Sequence, residues 1–198
     1  MKLVTSLTSP YGRKARAVAL ERGCALDIVE DTPMTEAAAA PRWNPLGKVP
    51  ILLLDDGTIL YDSPVVCEAI DAHDGRPTLL PTSGPARFAV LRDQALGDGI
   101  IDAAFAVVIE RRRPDAQRSP YWVDRWIAVI RRALDDLEGR ISGRADAVDL
   151  GTLTWACALG YLDFRHADLA WRDGRPALAG WFEAISARES LAETVPAD

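Results

Sequence analysis

Short apolar runs and alternating stretches fill the first third of the chain, and helical periods fill the rest. Leu3, Val4 and Leu7 lie in a segment closed by Thr8-Ser9-Pro10, which predicts a strand over Lys2 to Leu7 ending in a turn. From Tyr11 to Arg22 the period changes: Ala15, Val18, Ala19 and Arg22 fall at helical spacing, and Gly23 is a natural stop. Ala25 to Glu30 alternates Leu26, Ile28 and Glu30 against Ala25, Asp27 and Val29, so a second strand completes a βαβ unit. Asp31 to Asn44 carries no clear period; its alanine run Ala37 to Ala40, bracketed by Pro33 and Pro41, predicts only a short helix. Val49 to Leu54 is a continuous apolar run closed by Asp55-Asp56-Gly57 and followed by Thr58 to Tyr61, the pattern of an antiparallel hairpin. Ser63-Pro64 then opens a helix reaching about His73, with serine as N-cap and proline at the first helical position.

Asp74 to Pro85 reads DGRPTLLPTSGP, rich in proline and glycine and without periodicity, so it predicts a linker. Everything after it is helical in pattern. One amphipathic helix runs from Ala86 to about Arg113, stopped by Pro114, and another from about Pro120 to Glu138, stopped by Gly139. A third starts at Asp149, where Val148 and Leu153 have the spacing of a hydrophobic staple, and a last one covers Pro176 to Arg188. The predicted organisation is an α/β βαβ-ββα unit over residues 1–76, a linker over 77–85 and an all-helical unit over 86–198.

Composition removes several classes. The 198 residues are 48% hydrophobic and 26% charged, which suits a folded globular chain. A net charge of −6 and a pI near 5.0 supply no large basic face, so neither nucleic acid nor an anionic membrane is an expected partner. Cys24, Cys67 and Cys157 are odd in number and widely spaced, and only His73 and His166 accompany them, so no metal site is expected. The N-terminus lacks a signal-peptide pattern and no apolar run approaches the roughly 18 residues of a membrane span, so a reducing cytoplasm is the expected location.

Three local motifs carry candidate chemistry. Thr8-Ser9-Pro10-Tyr11 puts hydroxyls beside the free N–H groups of a helix N-terminus, a setting that favours a negative charge such as a thiolate; it is equally an ordinary turn and cap. In Asn44-Pro45-Leu46-Gly47-Lys48-Val49-Pro50 a proline heads an apolar strand, where a bound peptide can pair with the backbone of the preceding residue or where proline simply blunts an edge. Tyr61-Asp62-Ser63-Pro64 offers a helix N-terminus for a carboxylate and Asp62 for an ammonium, the two charges of an amino-acid head group, and is also how many helices start.

SPYGRKARAVALERG, NPLGKVPIL and YDSPVVCEAI, in that order and followed by a linker and a run of helices, resemble the glutathione transferase family over essentially the whole chain. The resemblance implies a thioredoxin-like N-terminal domain, an all-α helical-bundle C-terminal domain, and glutathione as co-substrate for a small electrophile. It implies conjugation or glutathione-dependent peroxide reduction, as in cytoplasmic detoxification, and a homodimer. Alternatives on the same fold are a non-catalytic interaction module and a glutathione-dependent isomerase or dehalogenase. The resemblance places Ser9 at the thiol-activating hydroxyl, with Thr8 as the alternative, and Tyr11 beside both substrates. Pro50 matches the family's cis-proline, so Val49 would offer its backbone to the cysteinyl part, with Lys48 reaching the glycyl carboxylate. Asp62 and Ser63 match the pair that holds the γ-glutamyl end, and Asp149-x-x-Thr152 resembles the C-domain capping box with its acidic member replaced. Tyr11, Phe105 and Val108 would line the second-substrate pocket. Gly97 and Gly99, flanking Asp98, would admit either a partner subunit or a neighbouring helix of the same chain.

Overall fold

A computed structural model describes residues 1–196. Its first part orders as β1 (Lys2–Thr5), α1 (Pro10–Glu21), β2 (Asp27–Glu30), β3 (Ile51–Leu53), β4 (Ile59–Leu60) and α2 (Ser63–Asp71). The sheet order is β2-β1-β3-β4, with β1 parallel to β2 and the other pairs antiparallel. The helical crossover through α1 brings β2 back in the direction of β1, and the short Asp55–Thr58 turn reverses β3 into β4. Successive side chains of a strand face opposite ways, so Leu3 and its partner Leu52 enter the main core while Val4 and Ile51 bury with Ala40 on the other face. Ala15, Val18 and Ala19 of α1 and Val66, Cys67 and Ile70 of α2 are buried in that main core, as their helical spacing predicts.

Two local expectations change. The alanine run does not form an α-helix: only a 3-10 turn at Ala40–Arg42 is present, and the Asp31 carboxylate accepts the Ala39 and Ala40 N–H groups at 2.9 and 2.7 Å. Pro41 has no N–H to continue a helix and restricts the residue before it, so the freed donors turn to Asp31. At α2 the N-cap is Asp62, while Ser63 and Pro64 are the first two helical residues; no side chain caps this terminus.

The second part comprises α3 (Gly84–Arg111), α4 (Pro120–Arg140), α5 (Leu150–Arg165), α6 (Pro176–Ser186) and the short α7 (Glu189–Ala192). α5 is buried on all sides from Leu150 to Leu162, which is why it is apolar all round instead of striped. Its start is a closed capping box, in which Asp149 accepts the Thr152 N–H and Thr152 accepts the Asp149 N–H, both at 3.0 Å. α3 lies close against it: a Cβ on Gly97 would come within 2.7 Å of Thr154 Cγ2, so the smallness of Gly97 serves packing inside the chain, whereas Gly99 faces open space.

Both ends of the helical part are tied to the α/β part. The buried Asp71 carboxylate accepts the N–H groups of Thr78, Leu79 and Leu80 at 2.9–3.1 Å, and Leu79 accepts the Leu150 N–H at 3.0 Å. α7, which no sequence signal announced, brings Arg188 onto Glu21 of α1 through two 2.8 Å bonds, and Arg13 donates to Leu191 O at 3.0 Å. Among the described residues no helix is long and apolar enough to cross a membrane.

Candidate functional site

Strand register gathers the three motifs at one end of the sheet. The turn Thr8-Ser9-Pro10 follows the C-terminal end of β1. Continuing the Val4↔Ile51 register two residues further puts Val49 level with Ser6, and continuing Leu52↔Leu60 puts Pro50 level with Asp62. Ser9, Val49, Pro50, Asp62 and Ser63 therefore share one edge, with the N-termini of α1 and α2 opening onto it.

Within the turn, the Ser9 side-chain oxygen accepts the Gly12 N–H at 3.1 Å and its carbonyl accepts the Arg13 N–H at 2.8 Å, with Pro10 at the first helical position. As cap, the Ser9 oxygen is an acceptor and keeps its own proton to donate. Thr8 differs: its hydroxyl lies 3.0 Å from the Ser6 hydroxyl, a partner in its own loop. Gly12 is required here by contact, since a Cβ would sit 1.8 Å from the Thr5 hydroxyl oxygen.

The second motif is shaped by Asn44, a buried amide. Its Nδ2 donates to Lys48 O and its Oδ1 accepts the Leu46 N–H, each at 2.9 Å, which folds the loop back through Gly47 at φ +63°. Val49–Pro50 is cis, and the Val49 backbone groups have no backbone partner among the described residues. Lys48 is exposed beside it. At the third motif the first turn of α2 is free of a side-chain cap, leaving its N–H groups open to an anion, and Asp62 is exposed.

α3 forms the far wall. Tyr11 donates its phenol proton to Asp102, and burial first, then that bond, drives the Tyr11 hydroxyl far above the usual tyrosine range. Phe105 follows Asp102 by one turn and Val108 by nearly two, the first exposed and the second half-buried, so both predicted pocket residues lie along the helix that Tyr11 touches. Deeper in, Lys14 is wholly buried and bonds Asp98 at 2.6 and 2.8 Å. Burial pushes the Asp98 carboxyl up against the pull of Lys14, and the charges of Asp102 and Asp62 add to that rise.

Asp102, Lys14 and Asp98 were not singled out from the sequence as site residues. The available signal for the two carboxylates was the spacing 98, 102, 105, which places them and an aromatic on one stripe of α3. All three cysteines are buried, and burial raises each thiol, Cys67 to about 12, so none is a thiolate near neutral pH. Among the described residues no group of His, Cys, Asp or Glu is arranged to hold a metal ion.

The chain matches the family models for the glutathione S-transferase N-terminal domain over residues 8–73 and C-terminal domain over residues 120–184. An uncharacterized GST-like protein of Escherichia coli (strain K12), YibF, is 39% identical over 199 residues, covering 99% of this chain and 98% of the relative. A glutathione transferase family member from Pseudomonas fluorescens Pf-5 is similar in two crystal structures. The one with bound glutathione superposes with a TM-score of 0.93 at 40% identity, covering 100% of this chain and 99% of that one. The one with bound S-(propanoic acid)-glutathione gives 0.91 at 39%, covering both chains fully. With a thioredoxin-like sheet, a helical C-terminal half and these relatives along its whole length, the chain belongs to the glutathione S-transferase family.

Proposed function

We propose that the chain is a glutathione transferase: it binds glutathione along the shared sheet edge, holds its sulfur as a thiolate and delivers it to a small electrophile by conjugation. In this reading the γ-glutamyl carboxylate meets the uncapped N-terminus of α2 and its ammonium meets Asp62 and Ser63. The cysteinyl part pairs with the Val49 backbone in the manner of an added strand, and Lys48 takes the glycyl carboxylate.

The observation that carries the reading is Ser9, whose oxygen is fixed by the Gly12 N–H and whose proton is left to donate. A free thiol has a pKa near 8.5, and lowering it by about two units requires about 2.7 kcal/mol of preference for the anion. A charge-assisted hydrogen bond from one hydroxyl contributes roughly 1.5–3 kcal/mol and the N-terminus of α1 about 0.3–1 more, so the parts at hand suffice. Ser9 is favoured over Thr8 because the Thr8 hydroxyl is within hydrogen-bond distance of Ser6. Tyr11 is not the activating group, since its single proton is given to Asp102.

The test is ultraviolet titration of the thiolate of bound glutathione. The thiol pKa should lie well below that of free glutathione in the wild type and return most of the way in Ser9→Ala, with Thr8→Ala close to wild type. Equal values in wild type and Ser9→Ala would remove Ser9 from the role, and binding without any lowered pKa would make the chain a glutathione-binding module without thiol activation.

A further inference from the structure

Three consecutive arginines mark the end of α3: Arg111 is its last residue, Arg112 its C-cap, and Arg113 follows. Arg111 is 2.9 Å from the Asp168 carboxylate and Arg113 is 3.6 Å from that of Glu110. Arg112 has no carboxylate partner among the described residues; its Nη1 reaches the Met34 sulfur at 3.6 Å, a weak acceptor. The helix dipole explains why an arginine is favoured at this terminus. It does not explain why this one reaches the loop after β2.

The contacts Tyr11–Asp102 and Arg112–Met34 are two bridges between the α/β part and one face of α3, and Phe105 and Val108 lie between them along the helix. Burial raises the Tyr161 hydroxyl of α5 against the pull of Arg165 and Arg112. Outward from Ser9, this face of α3 thus presents Asp102 bonded to Tyr11, then apolar Phe105 and Val108, and ends at Arg112. The inner end is acidic, with Asp62, Asp98 and Asp102, and the outer end carries the Arg112 guanidinium.

We infer that Arg112 is a specificity residue that selects electrophiles carrying a carboxylate at the end remote from their reacting atom. This rests on the glutathione transferase reading and adds the substrate class. A carboxylate near the sulfur would face both the thiolate and Asp102; at the outer end it meets an unneutralised guanidinium suited to it. Arg112 lies ten positions after Asp102, about 15 Å along the axis, so the electrophile must be long enough to carry its carboxylate over that span. The apolar side chains in between fit an aryl or alkyl spacer.

The probe is 6-(4-chloro-3,5-dinitrobenzamido)hexanoate, whose alkyl chain carries the carboxylate far from the reacting ring carbon, compared with its neutral terminal carboxamide. In both, the glutathione sulfur bonds to the ring carbon, the C–Cl bond breaks and chloride leaves with the electron pair. Arg112→Gln should lower kcat/KM for the hexanoate about tenfold, the size of one charge-assisted hydrogen bond, and leave the carboxamide and the KM for glutathione essentially unchanged. Arg112→Lys should recover part of the loss. Equal losses for both probes would overturn the inference, and a loss confined to the KM for glutathione would mean that Arg112 holds the glycyl carboxylate instead. Calorimetric binding of the two product conjugates gives a readout independent of turnover. A wild type that binds glutathione but shows no preference for the carboxylate conjugate defeats this inference alone, whereas one that binds no glutathione defeats the proposed function with it.

Discussion

Ser9 shows how much a single residue reveals locally. Its cap is written in the adjacent Pro10 and in the helical spacing that follows, so its place at the N-terminus of α1 was readable from a handful of neighbours. The partner of Tyr11 was not readable, because Asp102 lies 91 positions away and nothing local couples them. Gly12 belongs to the same turn, and its requirement comes from contact with β1, where Thr5 is fully buried. Gly12→Ala is expected to cost about 1–3 kcal/mol, the usual range for forcing atoms into a packed site, and to weaken glutathione binding by displacing the turn. Urea unfolding with unchanged midpoint and slope would show that the first turn of α1 has slack to absorb a methyl group.

Among the elements, the longer ones follow their sequence patterns and the shortest do not. α3, α4 and α5 carry enough turns for their period to decide them, while α7 has four residues and depends on Glu21 and Arg13 of α1 to hold it. The alanine run failed as a helix because one proline and one aspartate outweigh the propensity of four alanines. The end of α5 supplies a pH-sensitive joint. His166 is buried and donates from Nε2 to Ala104 O of α3 at 2.9 Å, and burial holds its imidazole below the usual range. Above a pH of about 6.5 both folded and unfolded chains carry neutral His166; below it the unfolded chain takes up a proton first, so stability falls as pH falls toward the lowered folded value. His166→Gln keeps a donor for Ala104 but removes the titration. The drop in Tm between about pH 7.5 and 5.5 should be smaller in the variant than in wild type, and parallel curves would exclude His166 as its source.

At the scale of the molecule, the two parts are joined by a charge pair inside the protein as well as by apolar packing. Lys14 from α1 is wholly buried against Asp98 from α3, and Asp98 is 17% exposed. Lys14→Met would leave Asp98 largely buried without its partner, and a loss of about 3 kcal/mol is expected in urea unfolding. The double variant Lys14→Met with Asp98→Leu should recover much of that loss; a double variant as unstable as the sum of the two single changes would mean that the two residues do not act as a pair. The sequence by itself determined the βαβ-ββα order, the aperiodic connection, the long helices and the three motifs of the candidate site, because each rests on periods, caps and turn residues spanning a few neighbours. Only the tertiary structure decided that Lys14 and Arg13 are buried, that Tyr11 is held by Asp102, that Asp71 pins the connection and that Arg112 crosses to Met34. A charged residue on a helix reads as solvent-facing until a partner far along the chain supplies the hydrogen bonds that make its burial possible, and no local pattern records which partner that is.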